Sequence, residues 1–69
     1  MSGLVKRSFT LEGHRTSVAL EEEFWAALAR IAAARGLAVS ALVAEIDIAR
    51  GGERPLASAL RVHALAASK

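Results

Sequence analysis

The side chains able to do chemistry are gathered in the first third of the chain. Lys6, Arg7 and Arg15, with His14, stand against a single acid, Glu12, before a run of three carboxylates at Glu21, Glu22 and Glu23. A basic segment of this kind attracts polyanions. The carboxylate run has no nucleophile or base spaced to work with it, and the serines have no positioned base. His14 and His63 are the only histidines, and neither is joined to a carboxylate at ligand spacing. The chain has no cysteine, so it offers neither a thiolate metal site nor a disulfide framework. No glycine-rich phosphate loop is present. The residues therefore read as a non-enzyme with no metal and no cofactor, and leave binding as the chemistry to explain.

Alternating segments position the basic residues. From His14 to Leu20 the order is strict: Thr16, Val18 and Leu20 point one way, and Arg15, Ser17 and Ala19 the other. Val5–Leu11 alternates less cleanly, with Phe9 and Leu11 on one side and Ser8 and Thr10 on the other. Glu12-Gly13 between them fits a two-residue turn, because glycine accepts positive φ. Such a hairpin pairs Leu11 with His14, Phe9 with Thr16 and Arg7 with Val18, and it puts Lys6, Ser8 and Thr10 on the outer face beside Arg15. Residues 1–4 read as a disordered start, and 5–69 as one domain.

Helical periodicity takes over at the acidic run, where carboxylates favour the positive end of a helix. Phe24, Trp25, Leu28, Ile31 and Ala32 form one stripe. Arg35 belongs to the last turn, and Gly36 fits a left-handed cap. A second helix, about Val39 to Ile48, puts Val39, Leu42, Val43, Ile46 and Ala49 on one face and leaves Ile48 off it. Gly51-Gly52 ends it. Pro55 fits the first turn of a third helix, about Pro55–Ala67. That helix is apolar on two sides, Leu56, Ala59 and Leu60 on one and Val62 and Leu65 on the other, so it reads as sandwiched between subunits.

At 69 residues and 54% apolar, much of it alanine, the chain is near the size where one core is marginal, which points to a core shared with a second copy. No stretch of eighteen apolar residues reads as a membrane span, and the first residues lack the apolar centre of a signal peptide. A cysteine-free composition fits the cytoplasm.

The strand RTSVAL (15–20), the acidic start EEEFW (21–25), the helix AALARIAAARG (26–36) and the second helix VSALVAEI (39–46) together resemble the ribbon-helix-helix family of bacterial DNA-binding proteins. EGHRTSVALEEEFW with LVAEIDIARGG is similar, more particularly, to a short alphaproteobacterial-type subgroup. The resemblance implies a mainly α fold with a short β-ribbon, formed as an intertwined homodimer. The third helix and the N-terminal hairpin strand are additions to that pattern. It also implies a cytoplasmic, nucleoid-associated transcriptional regulator or repressor that reads double-stranded DNA with the paired ribbon in the major groove. Carried over residue by residue, the base-contacting set is Arg15, Ser17 and Ala19, and the phosphate-contacting set is Val39 and Ser40 at the start of the second helix; the N-terminal segment, outside the family pattern, adds Lys6 and Arg7 as further phosphate contacts. Ala19 departs from the polar or basic residue many relatives carry there, and Ala38 from their serine or threonine cap. A dimer of hairpins makes a sheet about 19 Å wide, against a groove of about 12 Å. The N-terminal strand therefore folds away, or contacts phosphates at the rim, or keeps the sheet from entering the groove conventionally. The alternative reading is a protein-interaction module, an antitoxin-like or adaptor dimer with little or no DNA binding. The short stretch after the third helix speaks against a toxin-wrapping version.

Overall fold

The computed structural model describes residues 3–67. Two strands, β1 (Leu4–Leu11) and β2 (His14–Glu21), are followed by three helices, α1 (Glu22–Ala34), α2 (Val39–Ala49) and α3 (Leu56–Ala67). Of the start expected to be disordered, Met1 and Ser2 lie outside the described residues. Leu4 corrects that expectation, since it is already in β1, opposite Glu21. The strands form one antiparallel hairpin in the register expected from the turn, with Leu11 facing His14, Phe9 facing Thr16 and Arg7 facing Val18.

The turn fixes this register. Glu12 has φ 51° and Gly13 φ 82°, and positive φ at both central positions is the mirror-image turn whose twist matches a right-handed ribbon. Glycine is suited to such a position and glutamate is not. Below the hairpin, all five elements contribute to one apolar cluster. Phe9 and Leu11 of β1 and Val18 and Leu20 of β2 meet Trp25 and Leu28 of α1, Leu42 and Val43 of α2 and Leu60 of α3. No polar or charged side chain is buried among the described residues.

The core is assembled within one chain, with a radius of gyration of 11.4 Å, close to the roughly 11 Å of a compact chain this long. Strand β2 also has an in-chain partner, so an unpartnered backbone remains on only one of its edges. Within the single chain, the third helix is buried on one side. Leu56, Ala59, Leu60 and Ala64 are buried, whereas Val62 is 48% and Leu65 65% exposed.

The helices follow their sequence signals closely. Trp25, Leu28 and Ala32 are the buried residues of α1. The helix ends with the Leu37 N–H donating to the Ala32 carbonyl at 2.8 Å and the Gly36 N–H to that of Ala33 at 3.1 Å. Gly36 holds φ 70° there, which is the paired-bond termination that favours glycine. The chain then turns by 98° into α2. Leu42, Val43 and Ile46 are buried on α2, but Ala49, expected on the same face, is exposed in the wall of an open groove. Pro55 sits one residue before α3 rather than in its first turn, and its carbonyl accepts the Ala59 N–H at 3.0 Å. Among the described residues no single helix is long and apolar enough to cross a membrane.

Trp25 fastens the free end of the hairpin to this helical layer. Its indole Nε1–H donates to the Val5 carbonyl at 2.8 Å, and its ring lies 5.8 Å from that of Phe9. Two outcomes follow for stability, both read from urea denaturation. A Cβ at Gly13 would meet nothing within 4 Å, so Gly13→Ala should cost about 1–2 kcal/mol through the backbone alone. Trp25→Phe, which keeps an aromatic ring but leaves the Val5 carbonyl without the indole, should cost about 1–3 kcal/mol.

Candidate nucleic-acid interface

Because residues directly opposite in an antiparallel pair share a face, the register sorts the functional candidates. The face turned away from the helices carries Lys6, Ser8 and Thr10 from β1 and Arg15, Ser17 and Ala19 from β2, in the cross-strand pairs Lys6/Ala19, Ser8/Ser17 and Thr10/Arg15. All are exposed except Ala19, which is half-buried. Two of the three pairs are hydrogen-bonded. The Arg15 guanidinium donates through Nη1 to the Thr10 hydroxyl at 3.2 Å, and the hydroxyls of Ser8 and Ser17 are 3.2 Å apart. Lys6 lies opposite the small Ala19 and has no side-chain hydrogen bond or ion pair among the described residues. The face is thus basic at two points and hydroxyl-rich between them.

Arg7 is not part of it. Neighbouring residues of a strand point to opposite faces, and Arg7 shares its face with Val18. Its guanidinium sits over the Trp25 ring, 5.1 Å from the centroid, a cation–π placement that holds it against the helical side. The register therefore separates the two adjacent bases that were expected to act together. Lys6 joins Arg15 and Arg7 joins Trp25.

Val39 and Ser40 open α2. The preceding residue, Ala38, has φ −73° and ψ 153° and supplies no side-chain cap. Its carbonyl accepts the N–H groups of Ala41 and Leu42, both at 3.1 Å. The N–H groups of Val39 and Ser40 have no acceptor among the described residues, and the Ser40 side chain is exposed. Two free donors at the positive end of a helix can hold an anion. These donors belong to a different element from the β-sheet face. The structure thus brings Lys6, Arg15, Ser17 and Ala19 together, sets Val39 and Ser40 apart from them, and turns Arg7 away.

Sequence reasoning placed Ser8 and Thr10 on the outer face but gave them no role. The signal was the Glu12-Gly13 turn, which fixes who faces whom. The Trp25–Val5 bond and the Arg7–Trp25 contact were not legible, since both span about twenty positions of sequence. No group of three or more histidine, cysteine or acidic side chains is placed to hold a metal ion among the described residues.

A family model described as the ribbon-helix-helix domain matches residues 4–68. The chain therefore belongs to the ribbon-helix-helix domain family, whose members are generally DNA-binding transcription regulators or antitoxins. No curated protein and no solved structure matches the chain.

Two ion pairs brace the elements behind this surface. Glu21, at the junction of β2 and α1, accepts from Arg61 Nε of α3 at 3.0 Å, and Arg61 also lies 5.8 Å from the centre of the Phe24 ring. Arg35, at the end of α1, grips Glu45 of α2 with both terminal nitrogens, at 2.6 and 3.1 Å. Both carboxyls are held below their usual value of 4.5, Glu21 first by its own backbone N–H and then by Arg61, and Glu45 first by the Arg35 hydrogen bonds. A carboxyl that titrates lower when folded adds stability above its unfolded pKa, and loses it as the pH falls through the folded value. Melting temperature should therefore drop on acidification from about pH 5 to about pH 3. Glu45→Gln and Glu21→Gln should each lower it slightly at neutral pH and flatten the acid limb, as read by circular dichroism. The pairs are solvent-exposed, so the changes should be small and should shrink further in high salt.

Proposed function

We propose that this chain is a sequence-specific double-stranded DNA-binding regulator, most simply a transcriptional repressor or autoregulator acting in the bacterial cytoplasm at the nucleoid. The observation that carries the reading is the outer β-face, where Arg15, Ser17 and Ala19 lie between the flanking hydroxyls and Lys6 with no acid among them. Arginine can take guanine O6 and N7 with two hydrogen bonds, serine can donate or accept, and alanine offers apolar contact to a thymine methyl. Membership of a family whose members generally bind DNA supports the same conclusion.

The working unit in this reading is a homodimer. In a hairpin closed by two residues, the pairs Leu11/His14, Phe9/Thr16 and Arg7/Val18 turn their backbone groups toward each other. Arg15, Ser17 and Ala19 therefore present their backbone N–H and C=O groups along the outer edge of β2. A second copy pairing antiparallel on that edge, with its two-fold axis at Ser17, sets Arg15 opposite Ala19 of the other chain. Each dimer then carries two arginines on its central strands. The four-stranded sheet is about 19 Å across, wider than the roughly 12 Å major groove. The central strands enter the groove while the β1 strands ride at its rims. Lys6 meets phosphates there, and the free N–H groups of Val39 and Ser40 take others. Arg7, turned toward Trp25, has no part in the contact.

One observation favours a second reading, a protein-interaction module of the antitoxin-like or adaptor kind. A groove of about 480 Å³ runs between α2 and α3, with Ile46, Ala49, Ala59 and Val62 among its lining residues, and Ile48 of α2, outside that lining, is 66% exposed. Selection from random double-stranded DNA at moderate salt separates the two. The DNA reading expects an enriched motif with two-fold symmetry, and a well-folded dimer that enriches nothing supports the protein-binding one. On the selected site, Arg15→Ala should cost about 1–3 kcal/mol and relax preference at one base pair in each half. Lys6→Ala should weaken binding to all sequences alike and make the logarithmic salt dependence shallower by about one for each phosphate that Lys6 neutralises. Equal affinity of Arg15→Ala and wild type for the selected site would overturn the assignment of Arg15.

A further inference from the structure

We propose that β1 is a positioning strand for the reading residues of β2, with Thr10 holding the guanidinium of Arg15 and Ser8 holding the hydroxyl of Ser17. The inference rests on the DNA-binding reading above and adds to it the residues that set the geometry of its contacts. An ordinary two-stranded dimer ribbon presents side chains from one strand per chain. Here each of the two polar readers has, directly across an in-chain strand pair, a hydroxyl residue within hydrogen-bonding distance, 3.2 Å for Arg15 Nη1 to Thr10 Oγ1 and 3.2 Å for Ser8 Oγ to Ser17 Oγ.

The physical advantage is in conformational entropy. A free arginine side chain on an exposed strand samples many rotamers, and immobilising such a side chain at an interface opposes binding. Thr10 is itself stiff at χ1, as a β-branched residue, so its hydroxyl is a fixed acceptor rather than another moving group. The bond uses one Nη1 hydrogen and leaves four of the five guanidinium N–H donors for a base edge. The serine pair works similarly. One hydroxyl donates to the other, which sets the direction in which Ser17 keeps a lone pair or a hydrogen free. Ala19, which lies opposite Lys6, has nothing to orient, and its pair is the one without a hydrogen bond. The two polar readers each have a positioning partner and the apolar one has none.

The decisive experiment is a double-mutant cycle on the site selected by the wild-type protein. Thr10→Val keeps the β-branched shape and removes the acceptor. It should weaken specific binding about two- to tenfold, the effect of freeing one rotamer-rich side chain, while leaving binding to random DNA and the salt dependence unchanged. Thr10→Ser should restore most of the affinity. In the Arg15→Ala background Thr10→Val should have no further effect, because Thr10 acts through Arg15. Additive effects of the two substitutions, or a Thr10→Val protein that binds as well as wild type, would overturn the proposal while the DNA reading stands. If the wild type enriches no site, the DNA reading fails and the positioning claim is decided on the free protein. There the order parameter of the Arg15 Nε–H group, measured by NMR relaxation, should fall in Thr10→Val. An Arg15 as mobile in wild type as in Thr10→Val overturns the positioning claim by itself.

Discussion

Everything that distinguishes the two faces of this small sheet depends on one constraint, the two-residue turn at Glu12-Gly13. A register shift of one residue would exchange the faces of a whole strand. With both turn residues at positive φ, the pairing begins at Leu11 and His14 and every later pair is determined. Phe9 and Leu11 are delivered to the core with Val18 and Leu20, and Lys6, Ser8, Thr10, Arg15 and Ser17 are delivered to solvent. The far end of the hairpin is secured separately, by the bond from Trp25 to the Val5 carbonyl. One end of β1 is thus fixed by backbone conformation and the other by a tertiary hydrogen bond.

The helical layer has the complementary task of giving that hairpin a floor. Helix α1 starts directly where β2 stops, so the strand direction is transmitted to the helix without a loop between them. The paired-bond termination at Gly36 and the 98° turn then bring α2 back beneath β1. Helix α3 closes the remaining side, joined to the strand–helix junction by Arg61 and Glu21. The alanine-rich composition suits this arrangement. Small residues such as Ala32, Ala59 and Ala64 fill buried positions, where they let the helices approach closely. The few large side chains, above all Trp25 and Leu28, supply the volume.

Most of the fold was legible in the sequence because it is carried by local signals. Strict alternation over His14–Leu20, a stripe at helical spacing from Phe24, a glycine after the last turn and a proline before the third helix each have one structural meaning. The outer face was legible for the same reason, once the turn was read. The parts that were not legible are long-range. How β1 covers the helices is one of them, since no local pattern reports it. Lys6 and Arg7 were both assigned to phosphates although the hairpin register already divides them between two faces, and what holds Arg7 on its own face is a long-range contact. Arg7 then found an aromatic partner eighteen positions away. Ala49 misled in the opposite sense, by continuing a helical stripe past the point where anything packs against it.

The hairpin tip adds a last consequence, concerning direction of approach. Glu12 stands at the very end of the ribbon, exposed and next to the basic outer face. A carboxylate leading the way is repelled by a wall of phosphates, while Lys6 and Arg15 are drawn to it. In the DNA-binding reading proposed above, Glu12 disfavours an end-on meeting with a polyanion, and Lys6 and Arg15 favour a broadside one that presents the hydroxyl-lined face rather than the point.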